Sequence, residues 1–210
     1  YGKKPIDRPA LRSFVHSLPY SLTHSQKQAI AECLEDMEKP SLMYRLLQGD
    51  VGSGKTLVAS LLLFANATRG SQGALMAPTE TLAKQHYQNL KKFFEGTPYK
   101  VDLLLGECKG EERKRTLSSL SSGETSVIVG THALFSSSVA YASLGLAIID
   151  EQHKFGVNQR ALLQEKGDSC DLLLMSATPI PRTLSLSLFG DLEVSTLTEF
   201  PSGLRKITTK

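Results

Sequence analysis

Met43-Tyr44-Arg45-Leu46-Leu47-Gln48-Gly49-Asp50-Val51-Gly52-Ser53-Gly54-Lys55-Thr56 decides the fold. Its second half is a complete G-x-x-x-x-G-K-[ST] word, and its meaning depends on what flanks it. Residues 43–47 form a short apolar run of strand length, and residues 55–68 carry the apolar spacing of a long helix. A glycine-rich turn with a chance Lys-Thr has no reason to join such a strand to such a helix. The glycines let the backbone curl so that its N–H groups aim at an anion, and the positive helix N-terminus adds to that attraction. The word therefore predicts a nucleotide-phosphate cradle made by Gly49, Gly52, Ser53 and Gly54. Lys55 reaches the β- and γ-phosphates, and the Thr56 hydroxyl takes Mg²⁺. It does not say what the nucleotide is for, since kinases, GTPases, transporters and motors share it.

Outward from this point, short apolar runs alternate with helix-patterned segments. Strands are expected at 43–47, 74–77, 101–105, 127–129, 146–149 and 172–175, with a further β-rich run from 194. Helices are expected at 25–37, 55–68, 81–94, 110–120 and 159–164. Alternating β and α elements predict an α/β fold whose mostly parallel central sheet has helices on both faces. The strands are continuous apolar runs, as strands buried on both sides are. The Ser-rich patches at 118–122 and 136–138 are expected at helix ends and loops.

The chain of 210 residues has the size of one domain, with 40% hydrophobic and 21% charged residues, ordinary for a globular protein. No apolar run approaches the roughly 18 residues that a membrane span needs. The start, Tyr1-Gly2-Lys3-Lys4-Pro5, has no secretory signal pattern and no initiator Met, which suggests a fragment. Cys33, Cys108 and Cys170 lack paired spacing, so they predict reduced thiols in a cytoplasmic protein rather than disulfides or a zinc site. A net charge of +3 neither requires nor excludes nucleic acid.

A second site follows about a hundred residues on. The apolar run Leu144-Gly145-Leu146-Ala147-Ile148-Ile149 ends in Asp150-Glu151-Gln152-His153. Parallel strands deliver ligands at their carboxyl ends, so Asp150 is expected to share a crevice with Thr56 and hold Mg²⁺, partly through water. Glu151 is then placed to orient or deprotonate the attacking water. Leu172-Leu173-Leu174-Met175-Ser176-Ala177-Thr178 is another strand ending in hydroxyls. Ser176 and Thr178 either bond the acidic pair or merely cap the next helix. The run 111–115 predicts a solvated helix face with a Glu111–Arg115 pair.

Together these words resemble the first RecA-like lobe of a superfamily-two helicase. Gly49 to Thr56 is similar to motif I, Asp150 to His153 to motif II in its D-E-x-H form, and Ser176 to Thr178 to motif III. Ala77-Pro78-Thr79-Glu80 and Gly130-Thr131-His132 resemble DNA-facing motifs, and Leu22-Thr23 with Gln26 resembles the adenine-reading element. The match sharpens to the RecG family, through Leu82-Ala83, Gln85-His86, Ala133-Leu134, Phe155-Gly156-Val157, Gln159-Arg160 and Met175 to Leu184. Transcription-repair coupling factors share the last phrase but typically carry Phe at the place of Ser53 and Glu at that of Gln152. Two positions depart from the RecG pattern: Lys154 stands where Arg is usual, and Leu105-Gly106 where Thr-Gly is usual.

The resemblance implies an ATP- and Mg²⁺-dependent DNA helicase that remodels forks and Holliday junctions. Gln26 reads adenine, while Thr79, Gly130, Thr131 and His132 meet DNA phosphates. Gln152, His153, Ser176 and Thr178 couple ATP state to DNA. His132 has a second reading as a helix cap, and Tyr20 either stacks on adenine or anchors packing. The implied organisation is a lead-in from a wedge domain (1–17), a RecA-like ATP-binding domain (18–200) and a linker towards a second such lobe (201–210). The protein is expected to be a monomer, with branched or duplex DNA as its partner and no membrane. Without a second lobe there is no arginine finger, worth about 10³–10⁵ in rate, so this stretch alone is expected to hydrolyse little and unwind nothing. Two other classes stay open: a P-loop ATPase that remodels protein complexes, and a degenerate nucleotide-binding module. The intact Lys55, Thr56, Asp150 and Glu151 argue against the second.

Overall fold

A computed structural model describes residues 3–107, 109–150, 170–177 and 192–198. Glu151, Gln152, His153, Lys154, Thr178, Cys108 and the helix expected at 159–164 lie outside the described residues. Among the described residues seven strands form one sheet: β1 (Tyr44–Gly49), β2 (Gln72–Met76), β3 (Lys100–Leu104), β4 (Thr125–Gly130), β5 (Leu144–Asp150), β6 (Asp171–Ser176) and β7 (Glu193–Leu197). Their order is β3-β4-β2-β5-β6-β1-β7, and each neighbouring pair is parallel. The helices are α1 (Arg8–His16), α2 (His24–Glu38), α3 (Lys55–Thr68), α4 (Glu80–Phe93) and α5 (Gly110–Ser122), and a short 3-10 turn spans His132–Phe135.

The apolar runs are continuous because both sides of each central strand are covered. Leu146, Ile148, Leu173 and Met175 join α1 to α4 residues in one core, while Ala147, Ile149, Leu172 and Leu174 join Leu120 of α5 in the other. The two-residue period of a strand divides a single run between two cores. Helix α3 is apolar nearly all round, with Val58 to Phe64 buried throughout, because it lies between the sheet and outer helices. It coincides with the expected 55–68. The Ser-rich patches fall at the end of α5 and after the 3-10 turn, as expected.

Helix α1 is the element that the sequence reading missed. Asp7 caps it through the Ala10 N–H at 3.1 Å, and Pro9 stands in its first turn, where a missing N–H costs nothing. Phe14 stacks on Phe64 of α3 with centroids 4.2 Å apart and meets Phe93 of α4 edge-on. Ile6 and Leu11 are buried, so this segment contributes to the core. At the amino edge of the sheet Asp171 is wholly buried. It accepts from Lys3 Nζ (2.7 Å), the Met43 N–H (2.7 Å) and Arg69 Nη2 (2.9 Å). The guanidinium of Arg69 also donates to the carbonyls of Met37 and Gly145, which ties α2, α3, β5 and β6 together. On α5, Glu111 pairs with Lys114 at 3.7 Å rather than with Arg115, and both side chains are exposed.

Candidate nucleotide site and DNA-facing edge

The carboxyl edge of the sheet gathers the chemistry. Sheet order puts β6 between β1 and β5, so Asp150 at the end of β5 lies two strands from the loop that leaves β1. That is about 10 Å at ordinary strand spacing. The register pairs Asp150 with Met175 and Gln48 with Ser176, which brings buried Ser176 between the two.

The phosphate loop has the backbone that its glycines permit. Gly52 and Gly54 sit at φ 86° and 88°, in the left-handed region where a side chain is strained. Gly54 is also the N-cap of α3 and supplies no side-chain cap, so the first N–H groups of α3 are left for an anion. A Cβ on Gly49 would run into Ser53 Oγ, and Ser53 is 2% exposed with that oxygen unpartnered. Ser53 thus packs within the loop, while Asp50 and Val51 are exposed. Lys55 Nζ donates to the carbonyl of Gly49 and, at 3.3 Å, to that of Asp50. Its ammonium is thus held over the loop by oxygens that phosphate oxygens can replace.

Gln26 is fully buried. Its Oε1 accepts from the Thr23 N–H (2.9 Å) while Thr23 Oγ1 accepts from the Gln26 N–H (3.2 Å), a reciprocal capping box at the start of α2. Its Nε2 donates to the Gly54 carbonyl at 3.4 Å, so the amide braces the phosphate loop. Beside Thr56 and Leu57 lies an open groove lined also by Leu18, Pro19, Tyr20 and Ser60 and, from α4, by Asn89 and Phe93. Tyr20 is 47% exposed there.

The Thr56 hydroxyl and the Asp150 carboxylate are donor types that fit Mg²⁺. Hydroxyl and carboxylate oxygens are its preferred ligands, and it usually keeps waters and phosphate oxygens for the remainder. Among the described residues no cluster of three or more His, Cys, Asp or Glu forms a self-contained metal cage. One contact was not foreseen from sequence: His86 of α4 meets Asp150 Oδ2 through Nε2 at 2.8 Å.

The model of the DEAD/DEAH box helicase family matches residues 23–186. The chain belongs to that family. This helicase domain is 52% identical to the ATP-dependent DNA helicase RecG of Streptococcus pneumoniae over 92% of its own length, and 49% identical to that of Bacillus subtilis over 95%. It spans 29% of the length of each. A solved structure of RecG bound to a three-way DNA junction is also similar. Its TM-score is 0.85 at 43% identity, covering 97% of this chain and 27% of that one.

The residues that the helicase resemblance assigned to DNA lie on neighbouring strands of this edge. Thr79 is exposed and N-caps α4, accepting from the Leu82 N–H at 3.2 Å. Thr131 precedes the 3-10 turn and exposed His132 opens it. The Ala77 N–H donates to the Gly130 carbonyl at 2.8 Å and binds the two segments together. Gly130 is buried, and a Cβ there would strike the Leu104 carbonyl, so packing alone explains this glycine. Leu105 is 2% exposed and belongs to the core, so that departure from the family pattern puts an apolar side chain inside.

Both described cysteines are buried, and burial pushes the thiols of Cys33 and Cys170 up to about 12. The thiolate is the reactive form, so at pH 8 only about one molecule in 10⁴ carries it at either site. In a Cys108→Ser chain, a maleimide at pH 8 is expected to leave both thiols unlabelled until denaturant is added. Rapid labelling of the native chain would contradict this burial.

Proposed function

We propose that this helicase domain is the Mg-ATP-binding first RecA-like lobe of an ATP-dependent DNA motor that remodels branched DNA. The observation that carries the reading is convergence on one sheet edge. The glycine cradle, Asp150, Thr79 and Thr131 all sit where β1, β5, β2 and β4 end. The identity to RecG proteins and the likeness to RecG on a three-way junction support the DNA side.

In this reading the α3 N-terminus and the loop of Gly49, Gly52, Ser53 and Gly54 bind the phosphates, and Lys55 neutralises the β- and γ-oxygens. Thr56 and Asp150 would hold Mg²⁺, which would neutralise charge developing on the phosphates. Glu151 orients the attacking water. The base lies beside Thr56 and Tyr20, and Gln26 either reads its edge or acts by holding Gly54 in place. Thr79, Thr131 and His132 donate to DNA phosphates without reading sequence, with Gly130 setting the path of the backbone. Gln152, His153, Ser176 and Thr178 carry ATP state towards them. A second RecA-like lobe and a wedge domain complete the motor, a monomer of the bacterial cytoplasm. No helix of the described residues is long and apolar enough to cross a membrane.

Titration of the chain with fluorescent ADP tests the nucleotide half. Saturable binding that tightens with Mg²⁺ and is displaced by ATP is expected. Binding indifferent to both would overturn the reading. Affinity for duplex DNA should fall steeply with salt, because phosphate contacts release counterions.

A further inference from the structure

We propose that His86 is the positioning residue that orients the Asp150 carboxylate towards the metal, tying the metal site to helix α4. The inference rests on reading Asp150 as a Mg²⁺ ligand. His86 is 8% exposed and its ring cannot turn to water. Nε2 lies 2.8 Å from Asp150 Oδ2, across 64 residues of sequence, while Nδ1 is buried with no partner. A tautomer with its proton on Nε2 suits both atoms. Nε2–H donates to the carboxylate, and Nδ1 is left as a bare lone pair rather than an orphaned N–H, which is the costlier of the two to bury. The ring therefore has one polar job, and it is directed at Asp150.

The arrangement constrains the carboxylate. With Oδ2 engaged by His86, Oδ1 is the oxygen left for the crevice that Thr56 borders. A metal-ligating carboxylate is itself usually hydrogen-bonded, and that outer partner fixes its orientation. The partner here stands on the element whose N-cap is Thr79, about two helical turns away. An α-helix of this length moves as a rod, so the orientation of Asp150 is tied to the segment proposed to face DNA.

The test compares two substitutions of similar polarity that place the amide differently. His86→Gln puts a donor near the site of Nε2, and His86→Asn puts it near that of Nδ1. Fluorescent ADP is titrated onto the chain with and without Mg²⁺, well below each variant's melting midpoint, with Asp150→Asn as reference. We expect His86→Asn to raise the Mg²⁺ concentration for half-saturation by about 10-fold or more, with metal-free affinity unchanged within about two-fold. His86→Gln is expected to stay within about three-fold of the parent. Equal half-saturation in all three chains would overturn the proposal. So would an equal loss in both variants, or a matching loss of metal-free affinity, since either marks a merely structural role. If the parent shows no Mg²⁺ increment, or Asp150→Asn keeps it, the underlying assignment of Asp150 fails instead.

Discussion

Lys55→Ala is expected to weaken binding of Mg-ATP to the chain by about 10- to 100-fold, the loss of one or two charge-assisted hydrogen bonds to phosphate. The lysine stands in the first turn of α3, whose unmade N–H groups already favour an anion, and its ammonium bridges the Gly49 and Asp50 carbonyls. Of the two acceptors, Asp50 is exposed, whereas Gly49 ends its strand buried. Removing the side chain leaves water able to satisfy the Asp50 carbonyl and costs the buried Gly49 carbonyl one donor, so the melting temperature should fall modestly. Titration calorimetry with a slowly hydrolysed ATP analogue reads the affinity, and a thermal melt checks the fold. Unchanged affinity in the folded variant would mean that the loop does not hold a triphosphate in this way.

Asp171→Ala is expected to have the largest effect on stability, about 3–5 kcal/mol, because it leaves two buried cations without their shared anion. Lys3 Nζ and Arg69 Nη2 both converge on the carboxylate, and the Met43 N–H loses its acceptor as well. The side chains of Asp171 and Arg69 are 0% and 2% exposed, so water cannot replace what is lost. Lys3→Met should cost much less, since Arg69 and Met43 still satisfy the carboxylate. Denaturant unfolding measures both. A loss below about 1 kcal/mol for Asp171→Ala would show that the triad contributes little beyond offsetting its own desolvation. The network bears on function by seating the start of β6, whose other end carries Ser176 between the phosphate loop and Asp150.

What the sequence made legible follows from the range of the interactions involved. The phosphate loop is local: strand, glycines, lysine and helix are contiguous, and α3 falls at 55–68 as its apolar spacing requires. Strands at 44–49, 144–150 and 171–176 were found from apolar runs, with ends extended by a residue or two where polar Asp150, Asp171 and Ser176 continue the ladder. Helix α1 escaped because its nine residues contain charged and small side chains. Its apolar pairs, Ala10-Leu11 and Phe14-Val15, gain meaning only against Phe64 and Phe93. Strand order was not readable, since nothing in the chain says that β6 inserts between β1 and β5. For the same reason His86 stood in a recognised word without a role. The contact that gives it one joins α4 to β5 through space. Gln26 was singled out through the helicase resemblance, whereas its engagement with Gly54 depends on how α2 docks against the loop.

The most direct test of the motor-lobe reading is a graft. This chain replaces the corresponding stretch of the Streptococcus pneumoniae RecG, and ATP hydrolysis is followed with forked, linear duplex and single-stranded DNA. The account predicts that the graft hydrolyses ATP, is stimulated most by the fork and loses that turnover with Lys55→Ala, while the chain alone turns over little. A folded graft whose hydrolysis ignores DNA structure, or the same DNA-stimulated rate from the isolated chain, would contradict it.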